Sequence, residues 1–169
     1  TLLLPIGGSC VDSLVAASHL TAHTETLKFL FAVRPGSTAP TQLAKQFASI
    51  NYWTNNRVLV NVVTGGAPKE LENDGDFLSH ADRCKRTREY IDILKRLFNG
   101  ETFDYHGEFY TLKGANLPLP LKEAPPIFFG GSSPIAKEVA TDVADVYMLW
   151  GETLETTKEE LESVVKLAK

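Results

Sequence analysis

Arg57-Val58-Leu59-Val60-Asn61-Val62-Val63-Thr64-Gly65-Gly66 decides how this chain is read. From Val58 to Val63 the residues are apolar and nearly all β-branched, with a single amide among them. Two glycines then stop the run. A strand with one wet face alternates apolar and polar residues, whereas a continuous run like this one belongs to a parallel sheet covered on both faces. Similar runs recur on either side, with helical stretches between them. Upstream, Leu27 to Val33 is an apolar strand stopped by Arg34-Pro35-Gly36, and Pro40 to about Trp53 is a helix with Leu43, Phe47 and Ile50 near one face. Before these come a short strand, Leu2 to Ile6, a Gly7-Gly8-Ser9 turn and a helix from about Asp12 to Leu20.

Downstream, Ala67 to Leu78 reads as a long polar loop. Ser79, with Asp82 three residues on, gives a capping-box pattern and opens a helix to about Phe98. Its apolar stripe is Tyr90, Ile91, Leu94 and Leu97, and Asn99-Gly100 closes it. Thr102 to Leu112 reads as a β-hairpin lying outside the main sheet, and a Pro-rich linker runs from Leu117 to Pro126. Ile127 to Phe129 is a fourth strand, Gly130-Gly131-Ser132-Ser133 turns directly into a helix, and Asp145 to Trp150 is a fifth strand. A last helix begins at Thr156 or Thr157. Its Glu155, Lys158, Glu159, Glu160 and Glu162 read as a solvated charged face.

Strand–helix repetition of this kind implies an α/β fold with a parallel sheet. Two architectures fit: an open, doubly wound sheet, or part of a (β/α)8 barrel, whose full form takes eight units and about 250 residues. The chain has 169 residues, begins without Met in an apolar run and stops inside a helix, which predicts a piece of a longer protein. We expect one incomplete barrel domain over residues 1–169, with the hairpin and linker inserted at about 101–126. Lys plus Arg is 17 against 21 for Asp plus Glu, a net charge of −4, so there is no basic excess for nucleic acid. No apolar run approaches a membrane span. Cys10 and Cys84 form no close pair, which argues against a disulfide framework or a metal knuckle and points to the cytoplasm.

Several residues fall where α/β folds bind ligands, at the carboxyl ends of the strands. Gly130-Gly131-Ser132-Ser133-Pro134 combines two glycines, two hydroxyls and a proline at the first helical position. It reads either as an anion site at a helix N-terminus or as a helix cap built on Ser133. Asn61, an amide in a buried strand, needs either a ligand or a backbone partner. Arg34 either holds an anionic substrate or pairs with an acid on the rim. Cys10 and His80 lie on the same side of the sheet, and Tyr147 and Trp150 either line a flat ring or belong to the core.

The motifs, taken in order, resemble the bacterial two-component alkanesulfonate monooxygenases. The resemblance lies in Leu27-Lys28-Phe29-Leu30, Ala32-Val33-Arg34-Pro35-Gly36 and the Arg57–Gly66 stretch. It continues through Asn73-Asp74-Gly75, Phe77-Leu78-Ser79-His80 and Arg83, then Gly100-Glu101-Thr102, Lys113-Gly114-Ala115 and Pro125-Pro126. Phe129-Gly130-Gly131-Ser132-Ser133, Tyr147 and Trp150-Gly151-Glu152 complete it. The resemblance implies a bacterial-luciferase-like (β/α)8 barrel with about five of the eight units present. It implies an enzyme that takes reduced FMN from an NAD(P)H-dependent reductase, reacts it with O2 and cleaves the C–S bond of a sulfonate to aldehyde and sulfite, working as a homo-oligomer when complete. Gly131, Ser132 and Ser133 would hold the FMN phosphate, Asn61, His80 and Cys84 would lie by the flavin, and Cys10 would match the family's active-site cysteine. No metal is implied.

Three departures stand out. Gly8 and Val11 replace the family's arginine and acid around Cys10, Cys84 replaces a tyrosine, and the family's catalytic histidine and its neighbouring arginine lie beyond Lys169. The alternatives are another flavin- or F420-dependent oxidoreductase of the same superfamily, and a flavin-binding or degenerate protein without catalysis.

Overall fold

Val58–Val62 becomes the central strand of a five-stranded sheet. The computed structural model of the chain describes residues 1–151 and 153–168; Glu152 of the Trp150-Gly151-Glu152 motif and Lys169 lie outside the described residues. In chain order the elements are β1 (Leu2–Leu4), α1 (Ser13–Thr21), β2 (Phe29–Val33), α2 (Pro40–Thr54), β3 (Val58–Val62), α3 (Pro68–Asn73) and α4 (His80–Phe98). They continue with β4 (Phe103–His106), β5 (Thr111–Ala115), β6 (Ile127–Phe129), α5 (Pro134–Val143), β7 (Val146–Tyr147) and α6 (Leu154–Leu167).

The sheet runs β1-β2-β3-β6-β7 with every pair parallel. A doubly wound sheet reverses its strand order at a switch point and carries helices on both faces. Neither feature is present here. The strands follow chain order, and one core collects Phe29, Phe31, Val33, Val58, Val60, Val62, Ile127 and Phe129 together with buried residues of α1, α2, α4 and α5. The alternate residues face the other way in two rows: Leu3, Leu30 and Leu59, then Ala32, Asn61, Phe128 and Val146. Strands in sequence with helices on one face form an arc of a (β/α)8 barrel, and the two rows are its inner wall.

The helices begin where their caps dictate. Pro40 opens α2, which ends on Asn55 in the left-handed conformation. Ser79 caps α4 by accepting from the Asp82 N–H at 3.1 Å, and Tyr90, Ile91, Leu94 and Leu97 are fully buried. At the amino end of the sheet the buried Arg57 guanidinium donates to the carbonyls of Thr24 (2.8 Å) and Thr54 (3.2 Å), satisfying backbone that the turns leave free. The hairpin β4–β5 stands outside the main sheet. The Glu89 carboxylate of α4 holds its turn, accepting from the backbone N–H groups of Glu108, Phe109 and Tyr110 at 2.7–3.1 Å.

Three boundaries differ from the sequence reading. The supposed loop from Ala67 to Leu78 contains α3, opened by Pro68 and anchored by Leu71, its single buried side chain. One anchor in a polar segment leaves no periodicity to read. The fifth strand pairs only over Val146–Tyr147, because β7 is an edge bonded on one side. The last helix starts at Leu154, since Thr153 and not Thr156 or Thr157 supplies the cap, accepting from the Thr156 N–H at 3.3 Å.

Candidate functional site

Two hollows open at the carboxyl ends of the strands. The first, about 240 Å³, lies between the ends of β3, β6 and β7. Asn61 and Val63 form one wall, Gly130, Gly131 and Ser132 a second, and Tyr147 to Trp150 a third. Asn61 is buried, and its amide makes no hydrogen bond to another described residue. Neighbouring backbone therefore does not satisfy it, and the cavity is where its partner belongs.

The serine turn is built by packing. A Cβ on Gly130 would collide with the Met148 carbonyl, and one on Gly131 would come within 2.7 Å of the Ala136 methyl. The glycines thus admit the molecule's own β7 segment and α5. Ser133 is the cap of α5, accepting from the Ala136 N–H at 3.3 Å. Its hydroxyl also stands 2.9 Å from His80 Nε2. His80 is the first residue of α4, so this hydrogen bond brings two helix N-termini together, each carrying partial positive charge and unpaired N–H groups. Ser132 is exposed, and its hydroxyl is free to meet a ligand.

Cys84 lies one turn into α4, fully buried, with Sγ 3.7 Å from His80 Nε2. Burial pushes its thiol pKa up, outweighing the nearby Arg83. It lines neither hollow and reaches the site only through His80. Arg34 lies in the second hollow, about 470 Å³, with Gly7, Gly8 and Tyr90. It is buried and ion-paired to Asp74 on the rim, the second of the two roles its position allowed. The hollows are neighbours, because Ala32 of the second pairs in register with Asn61 of the first. Cys10 is exposed in the turn after β1, its N–H bonded to the Gly7 carbonyl at 3.0 Å, and lines neither hollow.

Sequence reasoning missed Glu160. Read as part of a solvated face, it instead lines the first cavity and pairs with Lys137. The signal was present: Glu160 stands four residues before Val164, the one buried side chain of α6, and so shares its inward face. Tyr147 also lines the cavity, its hydroxyl donating to the Gly131 carbonyl at 3.0 Å.

Solved structures share this architecture. An EDTA monooxygenase from Chelativorans sp. BNC1 superposes with a TM-score of 0.83 at 18% identity, over 98% of this chain and 46% of that one. A long-chain alkane monooxygenase gives 0.83 at 22% identity, over 95% and 43%. An F420-dependent secondary alcohol dehydrogenase gives 0.82 at 21%, over 94% and 50%. The chain thus spans half the length or less of each of these relatives. The sequence model of the luciferase-like monooxygenases matches residues 2–169, and the chain belongs to that family.

Proposed function

We propose that this protein is a flavin- or deazaflavin-dependent oxidoreductase whose cofactor binds in the cavity between β3, β6 and β7. The observation that carries the reading is the His80–Ser133 hydrogen bond, which joins the N-termini of α4 and α5 beside a cavity containing an amide without a partner. Two helix N-termini, an exposed serine hydroxyl and an imidazole fit a phosphate. Asn61, on the adjoining strand β3, fits the polar edge of a ring. Cys84 would set the place of His80. The chemistry such a cofactor supplies when bound is the delivery of electrons from its reduced ring. What the chain supplies is binding, orientation and an apolar wall of Leu3, Val63 and Met148.

Within this class the motif resemblance favours reduced FMN from a partner reductase, with O2 and a small sulfonate as co-substrates in a homo-oligomeric enzyme. In that reading Arg34 and Cys10 would stand on the substrate side of the rim. Two free cysteines suit a reducing compartment, the cytoplasm; among the described residues no helix is long and apolar enough to cross a membrane.

The test is a titration of the full-length protein with FMN, riboflavin and F420, in the wild type and in Ser132→Asp. A carboxylate at the phosphate position should weaken FMN at least about tenfold and riboflavin far less. Equal losses would reduce the serine turn to a helix cap. Tighter binding of F420 than of FMN would select the deazaflavin reading, and sulfite release from an alkanesulfonate with reduced FMN and O2 would select desulfonation.

A further inference from the structure

Glu160 is the one charged residue among the described residues that line the cofactor cavity, and it is an acid. Its carboxylate lies 2.7 Å from the Lys137 ammonium, and both side chains are mostly buried, 19% and 14% exposed. Lys137 does not reach the cavity. It borders the groove on the far side, between α5 and α6, where it donates to Ser163 Oγ at 2.8 Å. The pair is thus oriented, with its carboxylate toward the cavity and its ammonium behind. Tyr147 reports the same placement: its phenol pKa is raised first by burial and next by the Glu160 charge, while its hydroxyl donates to Gly131. The carboxylate and the serine turn therefore border one space.

A carboxylate is a poor neighbour for a phosphate and a good one for hydroxyl groups. It has about four lone-pair sites, and a single ammonium leaves most of them open. Hydrogen bonds donated to an ionised acceptor are the strong ones. We propose that Glu160 is a specificity-determining residue that accepts hydrogen bonds from the hydroxyls of the polyol chain linking the cofactor's ring to its phosphate. This rests on the cofactor reading above. It divides recognition into three parts: ring edge at Asn61, polyol at Glu160, phosphate at Ser132, Ser133 and His80.

The experiment compares Glu160→Gln and Glu160→Leu with the wild type in the full-length protein, using FMN, riboflavin and lumiflavin, which keeps the ring and lacks the polyol. Glu160→Leu should weaken FMN and riboflavin by the same factor, about tenfold or more, and leave lumiflavin unchanged. Glu160→Gln, which keeps an acceptor but not the charge, should fall between. Unchanged lumiflavin affinity also shows that the site still folds. A loss shared by lumiflavin would make Glu160 a structural partner of Lys137 and overturn the proposal. An effect on FMN alone would mean that Glu160 acts on phosphate charge, and would overturn it equally. Ser132→Asp, run alongside, separates the two readings: selective loss of FMN there keeps the cofactor site standing even if Glu160 fails. Wild-type protein that binds none of the three removes both.

Discussion

Phe128 and Phe129 are adjacent and chemically identical, yet they face opposite sides of the sheet. Phe129 points into the helix layer, fully buried with Ile127, Val60 and Val62 and the inner faces of the helices. Phe128 lies on the inner wall, in the row with Ala32, Asn61 and Val146, and is only partly buried. On this arc the helix-side face carries the packing that holds the chain together. The inner wall and the carboxyl rim carry Asn61 and Ser132, which line the first cavity together with Glu160 of α6. A strand pattern apolar at every position does not announce this division.

The largest effect is expected from truncating each of the two rings in the 169-residue chain. Phe129→Ala should cost about 3–5 kcal/mol, the transfer of the ring plus the cavity it leaves. Phe128→Ala should cost less than half as much, since part of that ring is already in water. Urea unfolding of the two variants decides it, and equal losses would mean that the inner wall is packed in solution by another surface.

A smaller effect is expected where the helix layer meets the rim. The Arg86 guanidinium of α4 donates to Asp76 at 2.5 Å and to the Pro35 carbonyl at 2.7 Å, tying the α3–α4 connection to the turn after β2. Burial pushes the Asp76 carboxyl up, but the Arg86 hydrogen bond and charge, the Leu78 N–H and Arg83 together outweigh it, so its pKa is below the ordinary carboxylate value. Asp76→Asn should cost about 3 kcal/mol near neutral pH. The sign follows from the lowered native pKa: the wild-type advantage is full above the unfolded value of about 3.9 and is lost as pH falls through the lower native value. Melting both proteins from pH 7 to pH 2 should therefore show the two curves converging in acid. A constant gap would show that the charge of Asp76 is not what the site uses.

The smallest effect concerns the residue that connects packing to site. Cys84 is fully buried beneath His80. Cys84→Tyr should overpack this spot and lower stability by roughly 1–3 kcal/mol. Because Cys84 touches no cavity, FMN affinity should not improve. A variant that binds FMN more tightly without melting lower would move Cys84 into the cofactor site and blur the division between the two faces.

Much of this was legible in the residues. The apolar runs marked β2, β3 and β6, and Ser79, Ser133, Pro40 and Pro134 marked the helix starts, because a cap or a β-branched run acts through atoms a few residues away. The hairpin was legible from its aromatic arms, and so was its place outside the sheet. Helix α3 was not, since a single buried leucine sets no period. Nor was Glu160, hidden among charged neighbours whose exposure only the packing of α6 distinguishes.

Sequence alone was enough for most of the local structure: the apolar strands, the starts of α2, α4 and α5, and the parallel sense of the sheet. The long-range arrangement came from packing. It set the strand order, put the helices on one face, and so separated a barrel arc from an open sheet of the same elements. It brought His80 to Ser133, 53 residues away, and turned Glu160 toward Gly131. The physical reason is that propensity, capping and periodicity act between residues close in sequence. Whether a hydroxyl ends as a simple cap or as half of a joined pair depends on which element is packed beside it, and chain closure over tens of residues decides that.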